Sequence, residues 1–167
     1  MLHDGRIVHS RGFGVDGHGN AVSADTPFPI GSLTKSFTAL LVRQFIEAGR
    51  LDADTPVQRV LPWFKVADAQ ASSRITVRHL LNQTSGFSRA DGIAPLVAQT
   101  QASTMALARA MSSTPLNRPV GASYEYSNLN FVLLGALLEE RSGRPWPQLV
   151  QERVFAPLAL RHSHTDP

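Results

Sequence analysis

The sequence predicts an α+β fold: a β-hairpin over residues 1–31 and a mainly helical body over residues 32–167, together one domain. Three observations lead there. Strand-and-turn texture, rich in glycine and proline, is confined to the first segment. Apolar residues at three-and-four spacing then recur in separate stretches, each closed by a glycine or proline. And 167 residues with 43% hydrophobic and 17% charged side chains suffice for one real core, without the charge excess of a disordered chain.

Taken in order, Ile7 and Val8, then Arg11 to Gly14 and Asp16 to Asn20, read as a short strand entering a glycine-rich turn. Gly12-Phe13-Gly14-Val15-Asp16-Gly17 matches the dinucleotide fingerprint, but that motif needs its last glycine to open a helix, and Gly19 and Asn20 break one. Asp25 to Gly31, with prolines on both sides of Phe28, suits an extended edge segment. A helix begins near Ser32: Phe37, Leu40, Leu41, Phe45 and Ile46 form its apolar face, and Gly49 ends it at the C′ position.

Leu51 to Trp63, broken by Pro56 and Pro62, reads as a loop with at most a short helical turn. Thr76 caps a helix whose apolar face is Val77, Leu80 and Leu81, stopped by Thr84-Ser85-Gly86. A further helix is expected around Met105 to Met111, flanked by connections of low periodicity that begin at Asp91 and end at Thr114. Asn130 to Ser142, ended by Gly143, and Trp146 to Phe155, stopped by Pro157, complete the body. Trp63 and Trp146, each next to a proline, are expected to anchor loops to the core.

Composition excludes several functions. Sixteen Lys and Arg against thirteen Asp and Glu leave a net charge of +3, and the isoelectric point is about 9.9. Fourteen of the positive residues are arginines spread singly from Arg6 to Arg161, without the stripe that nucleic-acid binding needs, so no nucleic-acid partner is expected. The apolar run Phe131 to Leu138 is far short of the ~20 residues that span a bilayer. Met1 to His9 carries Asp4 and Arg6 and no apolar stretch, so no export signal is read and the cytoplasm is the default compartment. Cysteine is absent, which removes thiolate nucleophiles and zinc-thiolate sites. His162-Ser163-His164 lacks a third ligand at metal spacing and reads as a tail pair, so no metal is expected. Asn82-Gln83-Thr84 fits the glycosylation pattern but falls at a helix end.

Two short motifs can carry chemistry. Ser32-Leu33-Thr34-Lys35 sets a hydroxyl at a helix start and an amine one turn later on the same face. A lysine within reach can activate a serine that is otherwise a poor nucleophile, and the helix N-terminus favours a developing anion. Standing alone, the pair is read more plainly as an N-cap serine and a solvated lysine. In Tyr126-Ser127-Asn128, a tyrosine beside an ammonium has its phenolate favoured and can shuttle a serine proton, while an asparagine amide can hold a lysine and a substrate carbonyl. The plainer reading makes Tyr126 a core residue and Asn128 a helix cap.

The order of the pieces resembles the serine beta-lactamase and penicillin-binding-protein superfamily, in its class C-like branch of beta-lactamases, DD-peptidases and esterases. Six segments carry the resemblance in sequence: GFG, DTPFPIGSLTKSFTALL, EAGRLDADTPVQRVLPWF, ITVRHLLNQTSG, YEYSNLNFVLLGALLE and APLALRHS. It implies a beta-lactamase/transpeptidase-like fold and a serine hydrolase that cleaves an amide or ester through an acyl-enzyme, without a cofactor. By that resemblance Ser32 is the nucleophile, Lys35 its partner, Tyr126 the general base and Asn128 a substrate-positioning residue. A beta-lactam, a D-amino-acyl peptide or a small ester fits as substrate.

Members of that superfamily carry a third motif, Lys or His followed by a small residue and Gly, on a later strand; no such triplet follows Tyr126-Ser127-Asn128 here. The resemblance therefore implies a truncated member, 1–167 being a partial domain, with weakened catalysis and an open sheet edge prone to self-association. The competing reading is an inactive remnant that keeps the fold and binds a ligand or partner.

Overall fold

The computed structural model describes residues 1–92 and 103–165. The expected strand-to-helix order holds, but the hairpin sits earlier than the glycine run suggested. Strands β1 (Leu2–His3) and β2 (Arg6–Ile7) pair antiparallel, with Leu2 opposite Ile7 and His3 opposite Arg6. Asp4 and Gly5, at φ of 46° and 73°, form the turn; positive φ at both central residues is the signature of a type I′ hairpin turn, for which Asp-Gly is a favoured pair. Gly12 to Gly17 opens no helix: the Asp16 carboxylate accepts from the backbone N–H of His18 (2.8 Å) and Asn20 (2.9 Å), closing a turn beside a single Val15–Ala21 bridge. The segment from Asp25 to Gly31 is an exposed connection rather than a sheet edge.

A 3₁₀ turn over Gly31–Leu33 leads into α1 (Thr34–Glu47). Its buried stripe is Thr38, Leu41, Val42 and Phe45, one position round from the expected face, which leaves Leu40 42% exposed. The helix ends as expected: Gly49 N–H donates to Ile46 O and Arg50 N–H to Phe45 O, the paired bonds of a Schellman C-cap.

Three short helices follow: α2 (Val57–Val60), α3 (Ala69–Arg74) and α4 (Val77–Leu81). Helix α3 was not legible in the pattern, because its Ala, Gln and Ser residues carry little periodicity; the Asp68 carboxylate caps it, accepting from Gln70 and Ala71 N–H. Thr76 caps α4 as expected, with the His79 ring taking the role usually filled by Glu in a capping box. That helix ends at Leu81, before the Thr84-Ser85-Gly86 stop.

Helix α5 (Thr104–Arg109), capped by Ser103, and a 3₁₀ turn at Ala110–Ser113 account for the expected Met105–Met111 helix. Most of the connection expected before it lies outside the described residues. Helix α6 (Asn128–Ser142) is the centre of the molecule: α1, α2, α4, α5 and α7 (Trp146–Val150) all pack on it. Leu133, Leu134, Ala136, Leu137 and Leu138 are fully buried, so α6 is apolar on nearly every side. Each such leucine contributes about 1.5–3 kcal/mol relative to exposure, which makes α6 the main source of cohesion.

From Val150 the chain continues as a π-helical turn, Gln151–Phe155. Trp146 donates from its ring N–H to Thr38 Oγ1 at 3.2 Å, and the Arg109 guanidinium lies 4.2 Å from the Trp63 ring, so both tryptophans tie loops to the body. No helix among the described residues is long and apolar enough to cross a membrane.

Candidate active site

Packing of α1 against α6 brings the two motifs together. Ser32 stands in the 3₁₀ turn, Lys35 is the second residue of α1, and Asn128 is the first residue of α6. Ser32 Oγ and Tyr126 OH are 2.6 Å apart. Lys35 Nζ donates to Ser32 Oγ at 3.2 Å and to Asn128 Oδ1 at 2.7 Å, while Tyr126 OH lies 3.3 Å from the same amide oxygen. All four predicted residues thus form one closed hydrogen-bonded ring.

The plainer readings do not survive. Ser32 makes no side-chain cap, and Ser127, not Asn128, occupies the N-cap position of α6. Lys35 is half-buried, its ammonium 4.9 Å from the Tyr126 ring centroid and 5.7 Å from that of Phe131. Tyr126 is half-buried rather than core.

The surroundings of Tyr126 favour the ionised form of its phenol. Burial opposes its ionisation, but hydrogen bonds from Lys35 and Ser32, with the charges of Lys35 and Arg89, outweigh that and hold the phenol below its ordinary 10. The N-terminus of the fourteen-residue α1 adds positive potential at Ser32.

The support beneath the ring was missed in the sequence. Gln83 is buried (6% exposed) at φ +60°, unusual for a residue with a Cβ. Its Oε1 accepts from Ser127 N–H (2.9 Å) and Asn130 Nδ2 (2.5 Å), and its carbonyl accepts from Glu125 N–H (2.9 Å). Ser85 Oγ completes the network by donating to Asn130 Oδ1 at 2.5 Å. Residues on both sides of Tyr126 are therefore clamped to the loop after α4. The cue in the sequence is a polar Gln between an apolar helix and Gly86, in a stretch, 82–84, that reads as a glycosylation pattern at a helix end.

On the other side, Gly92 O accepts from Asn128 Nδ2 at 3.1 Å. A Cβ at Gly92 would come within 2.8 Å of Asn128 N and 2.9 Å of Ser127 Oγ, so only glycine lets the loop approach this closely. Among the described residues no group of three or more His, Cys, Asp or Glu could hold a metal.

The helical body with this Ser-Lys-Tyr-Asn ring defines the beta-lactamase/transpeptidase-like class of fold. The structure of an octameric penicillin-binding protein homologue from Pyrococcus abyssi superposes with a TM-score of 0.76 at 28% identity, covering 95% of this chain and 37% of that one. A D-stereospecific amidohydrolase from Streptomyces sp. does so with a TM-score of 0.69 at 34% identity, over 80% of this chain and 43% of that one. Among curated proteins, Penicillin-binding protein 4 of Amycolatopsis lactamdurans is 35% identical over 154 residues, 90% of this chain and 39% of its own length. The Beta-lactamase family model matches residues 1–167, and the chain belongs to that family. It spans between a third and two fifths of the length of the first curated relatives it matches.

Proposed function

We propose that this chain carries the acylation half of a serine hydrolase site, acting on an amide or ester carbonyl. The observation that carries this reading is the 2.6 Å contact between Ser32 Oγ and Tyr126 OH, bridged by Lys35. Tyr126, as phenolate, takes the Oγ proton while Oγ bonds to the carbonyl carbon. The Lys35 ammonium, held in place by Asn128 Oδ1, stabilises the phenolate. When the tetrahedral intermediate collapses, Tyr126 passes the proton to the departing amine or alcohol. Water then attacks the acyl carbonyl carbon and gives its proton to Tyr126; as the second tetrahedral intermediate collapses, the C–Oγ bond breaks and Tyr126 returns that proton to Ser32 Oγ, freeing the acid and restoring the phenolate. Asn128 donates one Nδ2 hydrogen to Gly92 O and has a second for a substrate carbonyl.

Hydrolase relatives support the reaction class: the solved neighbours include a D-amino acid amidase from Ochrobactrum anthropi and EstCE1, a hydrolase with promiscuous acyltransferase activity. A beta-lactam, a D-amino-acyl peptide or a small ester is accordingly the substrate class. Intact mass after incubation with a beta-lactam or a fluorophosphonate, beside Ser32→Ala, tests it. A serine-dependent adduct is expected; a folded chain without one would overturn the reading in favour of a non-catalytic ligand-binding domain.

A further inference from the structure

We infer that Arg89 is a specificity residue of this site, selecting substrates that carry a carboxylate near the scissile amide or ester. This rests on the acyl-transfer reading above and narrows its substrate.

The Arg89 guanidinium carbon lies 5.9 Å from the Tyr126 ring centroid, and the side chain is exposed. Arg43, Arg78, Arg118 and Arg144 each pair with a carboxylate, but among the described residues none lies within ion-pair distance of the Arg89 guanidinium. The nearby acids are committed elsewhere. Glu125 accepts from Arg118 Nε at 2.9 Å, Asn117 Nδ2 at 2.9 Å and the backbone N–H of Arg89 at 3.2 Å. Asp91 Oδ2 accepts from Ser88 Oγ at 2.6 Å. Residues 93–102 contain no Asp or Glu.

The position of Arg89 is tied to the reacting groups by the backbone. Gly92 N–H donates to Arg89 O at 3.2 Å, and Gly92 O receives Asn128 Nδ2 at 3.1 Å. One turn therefore presents the guanidinium and orients the amide of the Ser-Lys-Tyr-Asn ring. An open, planar guanidinium beside the phenol offers the fork that a carboxylate accepts bidentately, which a neutral ester or amide cannot use.

The test measures equilibrium binding of two matched amides, succinanilic acid and butyranilide, to the Ser32→Ala chain by NMR titration. The acid is expected to bind about five- to tenfold tighter, as for a partly exposed charge-assisted pair. Arg89→Gln should abolish the preference, Arg89→Lys should retain part of it, and added salt should weaken the acid alone. Circular dichroism checks that both variants fold; the salt dependence needs no variant. Equal affinities, or a preference that persists in Arg89→Gln, would overturn the proposal. Because binding is read without turnover, a carboxylate preference in a chain that fails the mass-labelling test would sink only the hydrolase reading. Labelling without preference would sink only this one.

Discussion

Ser32 Oγ and Tyr126 OH are 2.6 Å apart across 94 positions of sequence. Neither residue is buried enough to be held by packing alone; the contact exists because α1 and α6 pack side by side and each motif stands at a helix start. On that geometry Tyr126→Phe should slow Ser32 acylation by about 10²- to 10⁴-fold, the usual worth of a positioned general base. Unchanged circular dichroism with a lower rate of reporter acylation is the expected result. Acylation at the original rate would remove Tyr126 from the mechanism.

In the proposed mechanism Lys35 governs when that base is available. Since the phenol is held below its ordinary 10, the phenolate fraction and the acylation rate should rise with pH, with a midpoint below that value. In Lys35→Ala the midpoint should move up, read by the ultraviolet band of tyrosinate and checked against Tyr126→Phe. The sign for stability is separate: a depressed folded value adds stability above the unfolded phenol's value and loses it as pH falls through the folded one. Neutral-pH melting therefore does not report on it.

Gln83→Ala should destabilise the fold by about 2–4 kcal/mol, because it leaves Ser127 N–H and Asn130 Nδ2 buried without their acceptor. Denaturant unfolding measures this. A loss under half a kcal/mol would mean that water replaces the amide and that the clamp is not structural.

Gly92→Ala should lower acylation by about tenfold or more, as displacements of an ångström near reacting groups do, with a smaller loss of stability. The Cβ meets the Asn128 backbone at 2.8 Å, and a shift on the Asn128 side displaces the amide that faces Lys35. Equal acylation rates in a folded variant would show that the loop yields instead.

Residues 1–33 leave Leu2, Ile7, Phe13, Phe28 and Leu33 each more than 60% exposed. We expect self-association through these exposed apolar side chains and the short hairpin, relieved by Ile7→Lys. Sedimentation at rising concentration checks it; a monomer at all concentrations before substitution would refute it.

Local patterns were readable wherever the physics is local. The Gly49 C-cap, the Thr76 N-cap, the leucine-rich run of α6 and the stop at Pro157 depend on side chains within a turn of each other. Helix α3 escaped because its cap, Asp68, precedes residues with almost no apolar period. The hairpin slipped to Asp4-Gly5 because several glycines competed for one turn and sequence alone does not rank them. The four candidate site residues stood in two short motifs whose order carried the family resemblance, yet each motif singly favoured a plainer role.

What the sequence determined by itself was therefore the inventory of helices, their ends, and the residue types able to carry acyl transfer. Tertiary structure decided that Ser32, Lys35, Tyr126 and Asn128 close one ring, that Gln83 and Gly92 brace it, and that the Arg89 guanidinium stands beside the phenol with no carboxylate in ion-pair range among the described residues. The reason is range: caps and periodicity act over a few residues, whereas a ring joined across more than ninety positions needs the burial of α6 to bring its halves together.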